Sequence, residues 1–232
     1  MIDKAAPRHP ANYLLAITPD EFTSVPCLNL DTYLWKAYSS IDTLPISVYA
    51  HRICQLNETI YLIGGILNDQ LVSSHVESKN HKILSVKNKN CLNQLYSYQN
   101  KTWSQKSPMH IARANFGAVI HQQRLYVVGG RTNVYSNVVE LTDTVEIYNP
   151  IEDNWTKGKN IHKAREGCGF ISLAGQLYIL GGFNESGALS NVERFDEKRQ
   201  KWTPVKNMLK ARSHADYIAY NGKIWAFGGG EL

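Results

Sequence analysis

Four stretches of this chain close on a pair of glycines reached through an aromatic residue and two apolar ones. They read Tyr61-Leu-Ile-Gly64-Gly65, Tyr126-Val-Val-Gly129-Gly130, Tyr178-Ile-Leu-Gly181-Gly182 and Trp225-Ala-Phe-Gly228-Gly229. In the last three, a Trp (Trp103, Trp155 or Trp202) stands 26 residues before the first glycine, and an Arg (Arg113, Arg165 or Arg212) stands 16 before it. Marks held at fixed offsets through successive units define a tandem array. Each unit of an array is too small to bury its own faces and must stack on its neighbours.

The strands of one unit follow from the punctuation. After each Arg comes an apolar run, then a short polar turn: His121-Gln-Gln-Arg124, Ala174-Gly175-Gln176 and Asn221-Gly222-Lys223. Asn-Gly between two apolar runs is a hairpin signal. The run to the turn is therefore one strand, and the run from the turn to Gly-Gly is its antiparallel neighbour. The diglycine marks a strand end that needs positive φ or a close backbone approach. A third strand then ends on an aromatic, Val145-Glu-Ile-Tyr148 or Val192-Glu-Arg-Phe195, and seven residues later the Trp opens a fourth. Met109, Ile161 and Met208 each follow their Trp by six residues. Four antiparallel strands in about 50 residues, repeated, predict an all-β chain of sheets stacked radially as a β-propeller.

Composition agrees with that architecture. The chain has 232 residues, 43% of them hydrophobic and 19% charged, with 13 Tyr and 5 Trp. Aromatic side chains suit pleated surfaces. The net charge of +5 selects no class of partner, and no basic cluster on a single element points to nucleic acid. Cys27, Cys54, Cys91 and Cys168 include no Cys-x-x-Cys pair and do not follow the repeat, so neither a zinc motif nor a disulfide per unit is expected. No basic segment followed by an apolar run opens the chain, and no apolar stretch nears the ~20 residues of a membrane span. The expectation is a cytoplasmic protein with reduced thiols, alternatively associated with the cytoskeleton. The sequons at Asn57, Asn100, Asn154 and Asn184 read as accidents of composition.

The order Arg, apolar strand, Tyr-x-x-Gly-Gly, Val-Glu-x-Tyr/Phe, Trp resembles the kelch repeat. The match is strong over about 95–232. In unit 47–110, Val48 stands at the Arg position, and 32 residues separate Gly64 from Tyr96. An older unit is expected before it, where Leu28 and Trp35 keep the seven-residue offset. The opening residues Pro7-Arg-His-Pro-Ala-Asn-Tyr-Leu14 look like the junction between the BACK helical domain and the first kelch strand of BTB–BACK–kelch proteins. The resemblance implies a partial kelch propeller of about four to five four-stranded blades. Its expected units are 13–46 (degenerate), 47–110, 111–162, 163–210 and 211–232 (truncated). Residues 1–12 would be a remnant of the linker to a missing BACK domain, and 66–94 an insertion loop. An open arc with exposed sheet edges follows as an expectation, to be tested by light scattering.

In this reading Gly64, Gly65, Gly129, Gly130, Gly181, Gly182, Gly228 and Gly229 are backbone geometry. Tyr96, Trp103, Tyr148, Trp155, Phe195 and Trp202 pack the core. Arg113, Arg165 and Arg212 have two readings: a repeated hydrogen bond to a neighbouring blade, or a ring of cations facing a partner. The resemblance implies that residues just after that Arg, and just after Gly-Gly, face the binding end of the propeller. This nominates Asn115, Glu166, Ser213 and His214, with Arg131, Asn133, Phe183 and Asn184. His110 and His162 are read as surface or hydrogen-bonding residues.

The function implied is a protein-interaction module: the substrate-recognition region of an adaptor for a cullin-RING ubiquitin ligase, whose cullin contact would need a BTB domain. An actin-binding scaffold is the alternative. Some kelch propellers carry copper or iron chemistry, but no convergent set of ligands stands out, and neither a cofactor nor an enzyme is expected. The motifs of zinc proteases, serine hydrolases and P-loops are absent from the sequence.

Overall fold

In the computed structural model, the described residues are 13–15, 25–29, 34–38, 48–57, 59–67, 91–99, 102–133 and 140–230, and all their regular structure is β. The expected linker at 1–12 lies outside them. Strands β1 (Tyr13–Leu15), β2 (Val25–Asn29) and β3 (Leu34–Tyr38) form one antiparallel sheet, in which Leu28 stands opposite Trp35. The second sheet holds β4 (Val48–Tyr49), β5 (Arg52–Leu56), β6 (Thr59–Leu67), β7 (Cys91–Gln99) and β8 (Thr102–Lys106). β6 runs on to Leu67 and β7 starts at Cys91, so strand occupies both ends of the stretch expected as an insertion. Residues 68–90 lie outside the described set.

The third sheet is β9 (Gly117–His121), β10 (Arg124–Val128), β13 (Val145–Asn149) and β14 (Asn154–Lys157). A small ribbon of β11 (Arg131–Asn133) and β12 (Glu140–Leu141) interrupts it after Gly-Gly. The fourth repeats the plan with β15 (Gly169–Leu173), β16 (Gln176–Leu180), β19 (Val192–Asp196) and β20 (Lys201–Val205). Its ribbon is β17 (Phe183–Asn184) with β18 (Gly187–Ala188). A last hairpin joins β21 (Asp216–Tyr220) to β22 (Lys223–Phe227). The first-to-second turns are two-residue turns with both central residues at positive φ: Gln122-Gln123, Ala174-Gly175 and Asn221-Gly222. That backbone twist matches the twist of the flanking strands.

The sheets meet through their first strands in the order β5, β9, β15, β21. These four line a central cleft of about 470 Å³. Successive sheets around one axis are propeller blades, here forming a partial ring. The core fills the gaps between blades. Between the second and third sheets, Tyr61, Leu95, Phe116, Leu125, Tyr148 and Trp155 are buried together. Between the third and fourth, Val128, Phe170, Ile179 and Trp202 do the same. Trp155 stands 5.2 Å from Tyr148, and Trp202 5.1 Å from Phe195, ring centre to ring centre. Each indole N–H reaches back to the preceding blade's exit segment. Trp155 Nε1 donates to Ser107 O and Trp202 Nε1 to Lys159 O, both at 2.8 Å. A Trp at this offset thus fills the inter-blade gap and pins the connection that leads into its own blade.

Two details differ from the sequence expectation. Trp103 stands opposite Tyr98, whereas Tyr96 faces Gln105 across β7–β8. The β7–β8 turn is two residues shorter than its counterparts, since Gln99 already pairs with Thr102, and this moves the aromatic partner of the Trp. The second difference concerns the Arg. Its side chain bonds its own blade, and its carbonyl is what crosses to the neighbour. Gly65 N donates to Arg113 O (3.0 Å), Gly130 N to Arg165 O (2.8 Å) and Gly182 N to Arg212 O (2.8 Å). The diglycine is therefore the seam between blades. A Cβ on Gly129 would lie 2.5 Å from Arg165 O, at a φ of +64°.

Candidate functional site

Strand direction places two kinds of loop at one end of the propeller: the segments from fourth strand to next first strand, and those after Gly-Gly. The tight turns occupy the other end. At the loop end the residue after each Arg pairs with a residue after each Gly-Gly, as a single antiparallel bridge. These bridges are Ala114 with Arg131, Glu166 with Phe183, and Ser213 with Gly230. Short β4 makes the same contact in the second blade, Tyr49 opposite Ile66, although Val48 replaces the Arg there.

Beneath this rim lies a buried ionic layer. Arg113 is wholly buried. Its Nη1 donates to Gly129 O (2.8 Å), and its Nη2 to Thr144 Oγ1 (3.0 Å) and Glu146 Oε1 (2.6 Å). Glu146 also accepts the backbone N–H of His110 (2.7 Å) and Ile111 (3.1 Å), and its Oε2 lies 2.7 Å from His110 Nδ1. The fourth blade repeats the set. Arg165 donates to Gly181 O (3.1 Å) and Glu193 Oε1 (2.7 Å), while Glu193 Oε2 meets His162 N (3.2 Å) and Nδ1 (2.5 Å). Burial lowers the Arg113 guanidinium from its ordinary value, against the pull of Glu146. The His comes from the preceding blade's exit segment, so the Glu ties two blades together. Neither Arg side chain is available to a partner, and the ring-of-cations reading does not fit these two positions.

Glu146 and Glu193 were not singled out in the sequence. Their signal was the second residue of Val-Glu-x-aromatic, repeated alongside a repeated Arg. The second blade shows the converse. Tyr96 stands opposite Leu62, the register place that Glu146 holds opposite Val127. So where Val48 stands at the place of the Arg, Tyr96 stands at the register place of the Glu.

Above that layer the nominated residues separate by exposure. Glu166 is only 4% exposed. Its carboxylate takes Arg131 Nη2 (2.6 Å) and Asn115 Nδ2 (3.0 Å), joining the third and fourth blades. Asn184 is buried, its Oδ1 accepting Ser186 N, and Ser213 is buried with its Oγ donating to Gly230 O. Arg212 is half-buried and donates to Gly228 O. Asn115, Arg131, Asn133 and Phe183 are half-buried and His214 is exposed. These five shape the accessible rim.

Ala50, Asn115, Gly167 and His214, all at φ between +52° and +59°, form a backbone rail around the cleft mouth. Asn115 N donates to Ala50 O, Gly167 N to Asn115 O, and His214 N to Gly167 O, at 2.7 to 3.0 Å. The His214 ring lies over Gly167, 2.8 Å from where a Cβ would be. The rim is thus a firm polar surface whose side chains differ from blade to blade, suited to recognition by shape and hydrogen bonding. Among the described residues, no group of three or more His, Cys, Asp or Glu is arranged to hold a metal ion, and no helix is long and apolar enough to cross a membrane.

Known proteins share this plan. Kelch-like protein 40 of Mus musculus is 31% identical over 183 residues, covering 76% of this chain and 25% of that protein. Kelch-like protein 28 of Homo sapiens is 36% identical over 94 residues, 39% of this chain and 16% of that one. Kelch repeat and BTB domain-containing protein 1 of Camelpox virus (strain CMS) is 26% identical over 166 residues, covering 71% and 25%. The chain thus spans a quarter or less of the length of these relatives. The solved structure described as "Structure of YjhT" superposes with a TM-score of 0.71 at 14% identity, covering 94% of this chain and 73% of that one, which shows a shared fold. A family model described as the KLHDC2/KLHL20/DRC7 Kelch-repeats domain matches residues 17–230. On the diglycine seams, the stacked four-stranded blades and this match, the chain belongs to the kelch-repeat family.

Proposed function

We propose that the chain is a protein-binding module that takes its target on the loop end, as the substrate-recognition region of a cullin-RING ubiquitin ligase adaptor. The observation that carries this reading is the contrast between two layers. The Arg–Glu–His frame recurs in two blades, each Arg bonding the first glycine's carbonyl and the Glu of its own blade. The rim on top of it is firm, accessible and different in each blade. Binding energy at such a surface concentrates in a few aromatic and polar anchors, here Phe183, Arg131 and His214. The kelch-like relatives and a relative named for its BTB domain support the adaptor reading.

Affinity capture followed by mass spectrometry tests it. Phe183→Ala with His214→Ala removes two anchors and leaves the buried Glu166 bonds intact. Captured partners should fall by about tenfold or more, consistent with loss of hot-spot contacts. Gln123→Ala, at the turn end, should capture them as wild type does. Equal capture by all three proteins would sink the loop-end reading. Copelleting with actin filaments that survives the rim variant would favour the cytoskeletal role instead.

A further inference from the structure

We propose that Ser172, His121 and Glu197 form a nucleophilic site at the turn end of the gap between the third and fourth blades, where Ser172 takes an acyl group from a small uncharged ester. The site lies at the opposite end of the propeller from the loop-end rim and shares no residue with it.

His121 closes β9, and Ser172 stands near the end of β15. Both lie on the strand faces that Val119 and Phe170 turn into the same gap. His121 is 4% exposed, and its ring meets the Tyr126 ring edge-on, 5.7 Å between centres. Its Nδ1 lies 2.9 Å from Ser172 Oγ, and its Nε2 lies 3.4 Å from Oε1 of Glu197, in the β19–β20 turn. Gln122 Nε2 donates to the same carboxylate oxygen (3.3 Å). A carboxylate accepts, so Nε2 carries the imidazole proton, and Nδ1 keeps the lone pair that accepts the Ser172 hydroxyl. A nucleophile, its base and a third group that orients the base thus meet from three separate segments. Ser172 is half-buried and Glu197 exposed, so the set opens to solvent at this end.

The repeat shows that the scaffold does not require these residues. Counted from the first-to-second turn, His121 and Ser172 correspond to Leu56 and Ile120 in the preceding gap. Leu56 is buried there, and Ile120 packs against the same apolar cluster. Glu197 holds the place of Pro150 in the third blade, two residues after the aromatic that faces the Trp. Three polar residues that leave the repeat together and also meet in space mark chemistry rather than packing.

Ser172 Oγ attacks the ester carbonyl carbon while its proton passes to His121 Nδ1. The bond from that carbon to the leaving oxygen breaks, and the departing alkoxide takes the proton from Nδ1. The imidazolium formed in between faces Glu197. Water then cleaves the acyl-serine by the same route, its proton passing through Nδ1 to Ser172 Oγ. The Glu197 charge beside the site disfavours an anionic ester.

The whole chain is treated with a biotinylated fluorophosphonate, which bonds phosphorus to an activated serine oxygen as fluoride leaves, and in parallel with p-nitrophenyl acetate. Peptide mapping by mass spectrometry should place both adducts on Ser172, and Ser172→Ala should abolish them. His121→Leu supplies the residue of the preceding gap, so it should fold as wild type does. It should slow labelling by about a hundredfold or more, the share a positioned base contributes. Glu197 is a positioning residue: Glu197→Gln should slow labelling, and Glu197→Asp should restore part of the rate. No adduct on Ser172, or a rate that His121→Leu or Glu197→Gln leaves unchanged, overturns the proposal and leaves the three residues as a latch between blades.

Discussion

At the scale of single residues, the buried Arg113–Glu146 pair illustrates how a repeat tolerates charge in its interior. Removing one partner strands the other in a place water does not reach, a loss of about 3–5 kcal/mol for buried pairs. Exchanging both for residues that need no partner is far milder, and the second blade already carries Val48 and Tyr96 at these two places. Arg113→Val should therefore be severely destabilising. Adding Glu146→Tyr should recover at least about 1 kcal/mol of that loss. Urea denaturation of the two single variants and the double closes the cycle, and simple additivity would refute the coupling. The glycines offer a second comparison at this scale. Gly129 and Gly228 have nearly the same φ, +64° and +61°, but a Cβ on Gly129 meets Arg165 O, whereas nothing lies within 4 Å of one on Gly228. Gly228→Ala should cost only the left-handed strain, about 1 kcal/mol. Gly129→Ala adds the loss of the inter-blade seam and should cost about 3 kcal/mol or more. Equal losses in thermal melts would mean that the seam contributes nothing.

At the scale of strands and turns, legibility followed local chemistry. The hairpins were readable because Asn221-Gly222 and Ala174-Gly175 supply positive φ at a turn, and the diglycines because positive φ at both positions favours glycine. The register of β7 on β8 was not readable. A seven-residue offset counts chain length, whereas pairing depends on where the turn closes, and Gln99–Thr102 closes it early. The Arg–Glu pairs were missed for a related reason: 33 residues separate Arg113 from Glu146 but 28 separate Arg165 from Glu193, so no fixed spacing marks them. The third-to-fourth turn of the third blade also carries a clasp. Asp153 Oδ1 accepts Tyr148 Oη (2.6 Å) and the N–H of Ser107 in the preceding exit segment (3.0 Å). Burial pushes its carboxyl up, but the bonds from Tyr148 and Ser107 and the charge of Lys106 outweigh that and hold it below the ordinary value. A depressed carboxyl stabilises the fold above its unfolded pKa, near 4, and that contribution disappears as pH falls through the lower, folded value. Stability should therefore decline on acidification below about pH 4, and Asp153→Asn should lower stability at pH 7 and flatten part of that decline. Parallel acid profiles for the two proteins would remove Asp153 from the account.

At the scale of the whole molecule, stability is a sum over seams. The first strands of the described blades meet in succession, β5 on β9, β9 on β15 and β15 on β21, so the free energy of opening a strand depends on how many neighbours must also open. The second strands of the third and fourth blades, β10 and β16, are sheet-internal, and their blades are covered by buried clusters. Among the described residues β22 has a partner on one edge only, and Trp225 and Phe227 on it are exposed, as are Ile218 and Tyr220 on β21. The hairpin keeps one blade interface, through Tyr217 against Gly169 and the Arg212 carbonyl seam, but lacks the cover that β10 and β16 have. Opening it removes one seam, whereas exposing β10 removes two. Native-state hydrogen exchange should accordingly grade along the arc. Amides of Leu125–Val128 and Leu177–Leu180 should exchange slowest. Those of Ile224–Phe227 should exchange about a hundredfold faster or more, a difference of roughly 2.7 kcal/mol in opening free energy. Uniform protection from β9 to β22 would show instead that the arc opens as one cooperative unit, with the terminal hairpin held as firmly as the blades behind it.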